Sequence, residues 1–264
     1  VLLMSDKSID SILLEERLFP PATEFVAHAA VSAADLEQRY AEVAADSEGY
    51  WAGMAKRLIK WDQPWTQVLD SSKAPNYSWF VDGMLNVSAN CLDVHLAERG
   101  DKTAIIFEGE QGDTRHISYR ELTAEVCRLA NALLAAGINS GDRVVLYMPM
   151  VPEAVIAMQA CARIGAIHSV VFGGFSAVAL RDRINDAGAR LLITADGGQR
   201  GGAPVELKKA ADEALAGGCP SIEQVIVLRR TGQDTAMQAG RDVWWADAVA
   251  GQPDACAPVS VEAS

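Results

Sequence analysis

Tyr147-Met-Pro-Met-Val-Pro-Glu153, continuing through Cys161-Ala-Arg-Ile-Gly-Ala-Ile-His168 to Val171-Phe-Gly-Gly-Phe-Ser176, decides the fold. The stretch reads as a strand end, a helix opened by Pro152, a second strand and a glycine loop. Proline suits the first helical turn, where its missing N–H costs nothing. Gly165 stands where a helix terminus favours a left-handed residue. Ile167 to Phe172 is mostly apolar and β-branched, which predicts a strand covered on both faces. Gly173 and Gly174 remove side chains just past that strand. Ligands of open parallel sheets bind at this edge, although a tight turn alone also accounts for two glycines.

The same alternation extends outward in both directions. Ala89–Ala97 reads as a helix, Lys102–Phe107 and Thr114–Ile117 as a strand pair around a turn at 108–113, and Ser118-Tyr-Arg-Glu121 as a capping box. Behind the box, Leu122, Val126, Leu129, Ala130, Leu133 and Leu134 recur at helical spacing, and Gly137 ends the run. Strands are expected at 143–147, 191–195 and 224–228, and helices at 177–187 and 206–215. This order predicts an α/β fold with a doubly wound, mainly parallel sheet.

The region before residue 86 has a different texture. Ser32 and Asp35 open one helix and Asp46 another, which runs to about Ile59. Trp61, Trp65, Trp79 and Phe80 punctuate a loop-rich stretch, read as an aromatic-stapled cap. Residues 1–30, with the apolar run Ile12–Leu18 and Pro20-Pro21, read as a loosely attached extension. The expected divisions are 1–30, a helical and loop cap at 31–85, and the α/β body at 86–264. Ala248 to Ser264 shows no periodicity and is expected to stop without a closing element. Met4 competes with Val1 as the true start.

The 264 residues carry 23 basic and 35 acidic side chains, a formal charge of −12. That balance argues against a general nucleic-acid surface, while leaving room for a small anionic ligand held by a few arginines and backbone N–H groups. No apolar stretch approaches a membrane span, and the N-terminus lacks the pattern of a secretory signal. Cys91, Cys127, Cys161, Cys219 and Cys256 form no C-x-x-C pair, so neither a zinc site nor a disulfide framework is expected. Cys127 and Cys161 fit apolar helical patterns as small core residues, and the usage suits a reducing cytoplasm. His28, His95, His116 and His168 are isolated and read as structural. Glu153 suits the helix dipole, and Trp244-Trp245 reads as core or interface.

Several blocks from about Tyr40 to Trp245 carry a family resemblance in consistent order. They are Trp61-Asp-Gln-Pro-Trp65, Asn86-Val-Ser-Ala-Asn-Cys-Leu-Asp93, His116-Ile-Ser-Tyr-Arg-Glu-Leu122, Ile193-Thr-Ala-Asp196 and Gly240-Arg-Asp-Val-Trp-Trp245, with the opening stretch among them. The chain resembles the AMP-forming acyl-CoA synthetases of the adenylate-forming superfamily, most closely the acetyl-CoA synthetases. The resemblance implies the first part of that family's large domain, preceded by its N-terminal cap. It implies a two-step reaction of acetate, MgATP and coenzyme A through acetyl-adenylate. It also implies that the phosphate loop, the acetate pocket and the essential lysine lie beyond residue 264. The chain is therefore read as an N-terminal fragment, inactive alone and partnered by the missing C-terminal part of the same enzyme. No catalytic or metal-ligating residue is carried over onto it. A propionyl-CoA synthetase fragment and a non-catalytic truncated product are the alternatives.

By resemblance, Phe172, Gly173 and Gly174 lie along the coenzyme A channel, where glycines admit a pantetheine arm beside backbone and a phenyl ring offers apolar contact. Thr194-Ala-Asp-Gly-Gly-Gln-Arg-Gly-Gly202 fits neither a G-x-G-x-x-G nor a Walker pattern. The family places the coenzyme's nucleotide there, with Arg200 in contact. A guanidinium both stacks on adenine and pairs with phosphate. The competing reading is a flexible loop with a solvated arginine. Many relatives carry a second cation three residues on, where this chain has Ala203. Lys208 and Lys209 are the nearest substitutes and are expected to face water.

Overall fold

The computed structural model describes residues 18–263. The readings made on Val1, Met4 and the Ile12–Leu18 run before Leu18 fall outside them. The chain divides between Ala55 and Lys56 into two units.

The first unit is helical: α1 (Thr23–Ala27), α2 (Ala33–Ala45) and the start of α3 (Ser47–Leu58). The expected cap of α2 is a full box, with Ser32 accepting from the Asp35 N–H and the Asp35 carboxylate accepting from the Ser32 N–H. Asp46 accepts from the Gly49 N–H at 2.8 Å and so caps α3.

The second unit opens on an antiparallel pair, β1 (Gln67–Asp70) and β2 (Ser78–Val81). Phe80 gathers the aromatic staple, with Trp61, Trp65 and Trp79 rings at centroid distances of 5.4, 5.0 and 6.0 Å. After β3 (Met84–Leu85), the single helix expected over 89–97 is instead α4 (Val87–Cys91), a 3-10 turn at Asp93–His95, and α5 (Leu96–Arg99). The break has a cause at both ends. Asn86 caps α4, and Asp93 is drawn into a bidentate pair with Arg163 at 2.7 and 2.8 Å.

The hairpin β4 (Thr103–Glu108) and β5 (Thr114–Ser118) leads through the Ser118/Glu121 box into α6 (Tyr119–Ala135). Five of the six face residues are buried, while Leu134 lies at the margin, 41% exposed.

The central sheet consists of β6 (Arg143–Tyr147), β7 (Ile167–Val170), β8 (Leu191–Ala195), β11 (Gln224–Leu228) and β12 (Asp242–Trp244), all parallel, in the order 12-11-8-6-7. Between β8 and β11 lie β9 (Gly198–Arg200), β10 (Ala203–Val205) and a helix. Along the chain, α7 (Pro152–Arg163) joins β6 to β7, α8 (Ala177–Ala187) joins β7 to β8, and α9 (Leu207–Ala216) precedes β11. α10 (Trp245–Val249) follows β12. The step from β6 to β7 runs one way across the sheet and the later steps run the other. Right-handed crossovers then put α7 and α8 on opposite faces. In keeping with this, α7 packs with α6, and α8 packs with α9. The two directions separate between β6 and β8, so the crevice expected of such a sheet opens at the carboxyl ends of those strands.

Strands β6, β8 and β11 are buried along most or all of their length. The run from Ile167 is not covered on both faces, as its composition had implied. β7 is an edge strand paired only with β6, and Ile167 and Val170 are 57% and 58% exposed. The tail also departs from expectation. Val261–Glu262 forms β13 and pairs antiparallel with β3, and the segment before it docks on the end of α7. Arg163 donates to the Cys256 carbonyl at 2.6 Å, and the Asn86 amide donates to the carbonyls of Ala162, Arg163 and Val259. The Ala162 and Arg163 carbonyls also accept from the N–H groups of Gly165 and Val259 at 3.2 and 2.8 Å, so the end of α7 is closed by its own turn and by the tail together.

Candidate ligand site at the carboxyl edge of the sheet

Tyr147, the last residue of β6, is buried. Its hydroxyl donates to the Phe175 carbonyl at 2.8 Å and points to that of Gly173 at 3.4 Å. Burial raises the phenol above its ordinary value, so it stays protonated and remains a donor. Thr194 of β8 donates to the Tyr147 carbonyl at 2.9 Å and locks the two strand ends together. The glycine loop is thus pinned from beneath by a side chain that the sequence reading did not single out.

A side chain would be crowded at both loop glycines. A Cβ on Gly173 would stand 3.1 Å from the Met148 carbonyl oxygen, and one on Gly174 would stand 2.6 Å from both Arg200 Nη1 and Phe172 Cε1. Phe172 is 56% exposed, and the Arg200 guanidinium lies 5.3 Å from its ring centroid. The structure therefore brings Phe172, Gly174 and Arg200 together from two loops, with Gly173 packed on the connection after β6.

The glycine-rich stretch after β8 is a hairpin and not a flexible loop. β9 and β10 pair antiparallel with Arg200 opposite Ala203, and Gly201 and Gly202 close the turn at φ of +59° and +76°. Two successive positive φ values mark a type I′ turn, which Gly-Gly adopts without strain. The turn is tethered to the β4–β5 hairpin by Glu110, which accepts from the Gly202 N–H at 2.9 Å.

Asp196, just before this hairpin, is 1% exposed. Its carboxylate accepts from the N–H groups of Gly197, Arg230, Thr231 and Gly232 at 2.7 to 3.0 Å. Its acceptor sites are turned to backbone, and it holds the strand after β8 to the loop after β11. The signal was a lone Asp at a strand end, which sequence cannot tell from a ligand contact. Arg230 in turn makes a two-toothed pair with Asp113 at 2.7 and 3.0 Å.

Of the two lysines expected to face water, Lys209 does and Lys208 does not. Lys209 is exposed but paired with Glu206 at 2.9 Å. Lys208 is 2% exposed and bridges Asp212 and Asp242 at 2.7 and 2.8 Å. Arg241 completes the network with Asp212 and Asp242. Burial works to raise the Asp242 carboxyl, but hydrogen bonds from Arg241 and Lys208 outweigh it and hold the group below the usual carboxylate range. Neither lysine has its charge free for an anion near Ala203.

The remaining residues take structural places. Cys127 and Cys161 are buried, and burial pushes the Cys161 thiol up to about 12. Burial also lowers His168 below its ordinary value, and the His95 ring meets the edge of Tyr119. Glu153 at the start of α7 pairs with Arg115. Trp244 is half-buried, with Arg229 over its ring at 4.0 Å.

Residues 92–260 match the AMP-binding enzyme family, and residues 36–91 match the N-terminus of acetyl-coenzyme A synthetase. The chain is 54% identical over 258 residues to an acetyl-coenzyme A synthetase of Methylobacillus flagellatus, covering 97% of this chain and 39% of that protein. It is 55% identical, over the same shares, to one of Thiobacillus denitrificans. The chain thus spans 39% of the length of these curated relatives. Among solved structures, acetoacetyl-CoA synthetase from Streptomyces lividans superposes with a TM-score of 0.77 at 23% identity, covering 91% of this chain and 39% of that one. At that identity the likeness concerns the fold. With a doubly wound sheet, an N-terminal segment of the matching kind and relatives above half identity, the chain belongs to the AMP-binding enzyme family, with the acetyl-coenzyme A synthetase N-terminal segment in front of it.

Proposed function

We propose that this chain is the coenzyme-binding side of an acetate–CoA ligase. In the reaction, a carboxylate oxygen of acetate attacks the α-phosphorus of ATP and pyrophosphate leaves. The thiol of coenzyme A then attacks the acyl carbon, releasing AMP and the thiol proton. Relatives named acetyl-coenzyme A synthetase, at 54–55% identity, support the choice of acetate. ATP and acetate are assigned to the whole protein, and the chain described is given the coenzyme channel only. Mg2+ belongs in this reading with ATP. Among the described residues no cluster of three His, Cys, Asp or Glu is arranged to hold a metal, and no step is routed through one. No helix among them is long and apolar enough to cross a membrane, and with five unpaired cysteines the reading places the protein in the cytoplasm.

One observation carries the coenzyme assignment: the side-chain-free surface at Gly174, with Arg200 above it and Phe172 beside it. Gly174 offers bare backbone to a thin pantetheine arm, with Gly173 seating the loop on the connection after β6; Phe172 offers an apolar wall, and Arg200 offers a planar cation for adenine or phosphate. The test is Arg200→Ala in the full-length protein. The Michaelis constant for coenzyme A should rise about tenfold, and acetate-dependent ATP–pyrophosphate exchange should be spared. Intact thioester formation, or equal damage to both half-reactions, would return the hairpin to a solvated surface turn.

A further inference from the structure

The Phe172 ring has a second aromatic neighbour. Phe175 meets it edge to face at 5.8 Å, and the Arg183 guanidinium sits over Phe175 at 4.6 Å. Arg200, Phe172, Phe175 and Arg183 form a continuous row, with a cation at each end. Arg200 comes from β9, Arg183 from the outer face of α8, and the two rings from the loop between.

Both end cations are held over rings and not by carboxylates, as Arg229 is over Trp244. Arg163, Arg190, Arg230 and Arg241 each spend their donors on carboxylates. Among the described residues neither Arg183 nor Arg200 has an acidic partner. The one polar contact of Arg183 is a 3.3 Å bond to the Ala179 carbonyl of its own helix. Stacking on a ring uses the face of a guanidinium and leaves its N–H groups in the plane, pointing outward. The row therefore holds two cations while spending, among the described residues, one hydrogen bond, that of Arg183 to the Ala179 carbonyl. Chemically it suits a ligand with two separated anionic groups and a flat or thin apolar part between them.

We propose that Arg183 binds a phosphate group of the coenzyme and supplies the second positive charge that is absent at Ala203. The inference rests on the coenzyme reading of this edge and names a residue for it. Ala203 stands directly opposite Arg200 in the hairpin, so a cation there would crowd the same end of the row. Arg183 places its charge at the other end, apart from Arg200 and free of the repulsion between like-charged cross-strand neighbours.

The experiment compares Arg183→Ala, Arg183→Lys and Arg200→Ala in the full-length protein, using coenzyme A in the thioester half-reaction and pyrophosphate exchange for adenylation. Arg183→Ala should raise the Michaelis constant for coenzyme A about tenfold and leave adenylation unchanged. Arg183→Lys, which keeps the charge in place, should hold the constant near the wild-type value, a rescue that general damage to α8 would not allow. If Arg200→Ala raises the constant and Arg183→Ala does not, the inference fails and the coenzyme reading stands. If neither raises it, both fail. If only Arg183→Ala raises it, the inference stands and the hairpin loses its assigned role. Equal loss in both half-reactions, or a constant raised as far by Arg183→Lys as by Arg183→Ala, overturns the proposal.

Discussion

Two arginines at the two ends of this α/β unit use the same side chain in opposite ways. Arg163, at the end of α7, is 4% exposed in its side chain and turned wholly to protein acceptors: two bonds to Asp93 and one to the Cys256 carbonyl. The Asp93 bonds raise the guanidinium above its ordinary value in spite of burial. Arg200, past the carboxyl end of β8, rests its face on Phe172 and has no carboxylate partner among the described residues. The difference teaches where the chain invests its polar groups. A buried guanidinium locked to a carboxylate and a backbone carbonyl is part of the scaffold. One held by an aromatic face, with donors left over, is poised for an anion from outside.

The comparison breaks most visibly at Arg163. Arg163→Ala leaves Asp93 and the Cys256 carbonyl without their partner, and removing one member of a buried pair costs about 3–5 kcal/mol. Because the Asp93 side chain is 34% exposed, we expect about 2–4 kcal/mol after solvent screening, read as the loss in unfolding free energy. A variant as stable as wild type would mean that the node is ornamental.

The second test concerns Asp242, inside the other buried ion-pair network. Its carboxyl is lower in the folded chain than in the unfolded one. The stability it contributes is therefore full above about pH 3.9, the ordinary Asp value, and is lost as pH falls through the lower folded value. Asp242→Asn should cost about 1–3 kcal/mol at pH 7, and the gap to wild type should close on acidification. A gap that stays constant between pH 7 and 3 would show that charge at Asp242 contributes nothing.

At the Arg200 end, Ala203→Lys should lower the Michaelis constant for coenzyme A up to about tenfold and leave the constants for acetate and ATP nearly unchanged. Cross-strand repulsion from Arg200 should trim a few tenths of a kcal/mol from stability (about 0.2–1 for such pairs). The smallest effect sharpens the contrast: Arg200→Ala should alter unfolding free energy by less than about 0.5 kcal/mol. A loss as large as that of Arg163→Ala would place Arg200 in the scaffold too.

The sheet was legible because the fully buried strands have a composition of their own. Leu191–Ala195 and Gln224–Leu228 carry unbroken apolar centres, and their bounds agree with the structure. The same signal misled at Ile167, since an apolar run does not say whether a strand has one neighbour or two. Phe172, Gly174 and Arg200 were legible through resemblance, but their meeting depends on a turn at Gly201-Gly202 that folds Arg200 back over the loop. Lys208 was out of reach because its partner Asp242 lies far along the chain. Position beside Lys209 on a polar helix start suggested solvent. The tail was misjudged for a similar reason: Cys256 to Val259 are held by backbone groups, which leave no pattern in side chains.

Asn86 and Val259 are joined by one hydrogen bond across 173 residues of sequence. A ribosome adds roughly 5–20 residues per second, so the Asn86 side chain waits on the order of 10–35 s for that partner. During this interval every strand of the parallel sheet is synthesised, while the end of α7 lacks the segment that closes it. Nascent chains halted before Cys256 should therefore be open to proteases near Arg163, and chains extended past Val259 should be protected.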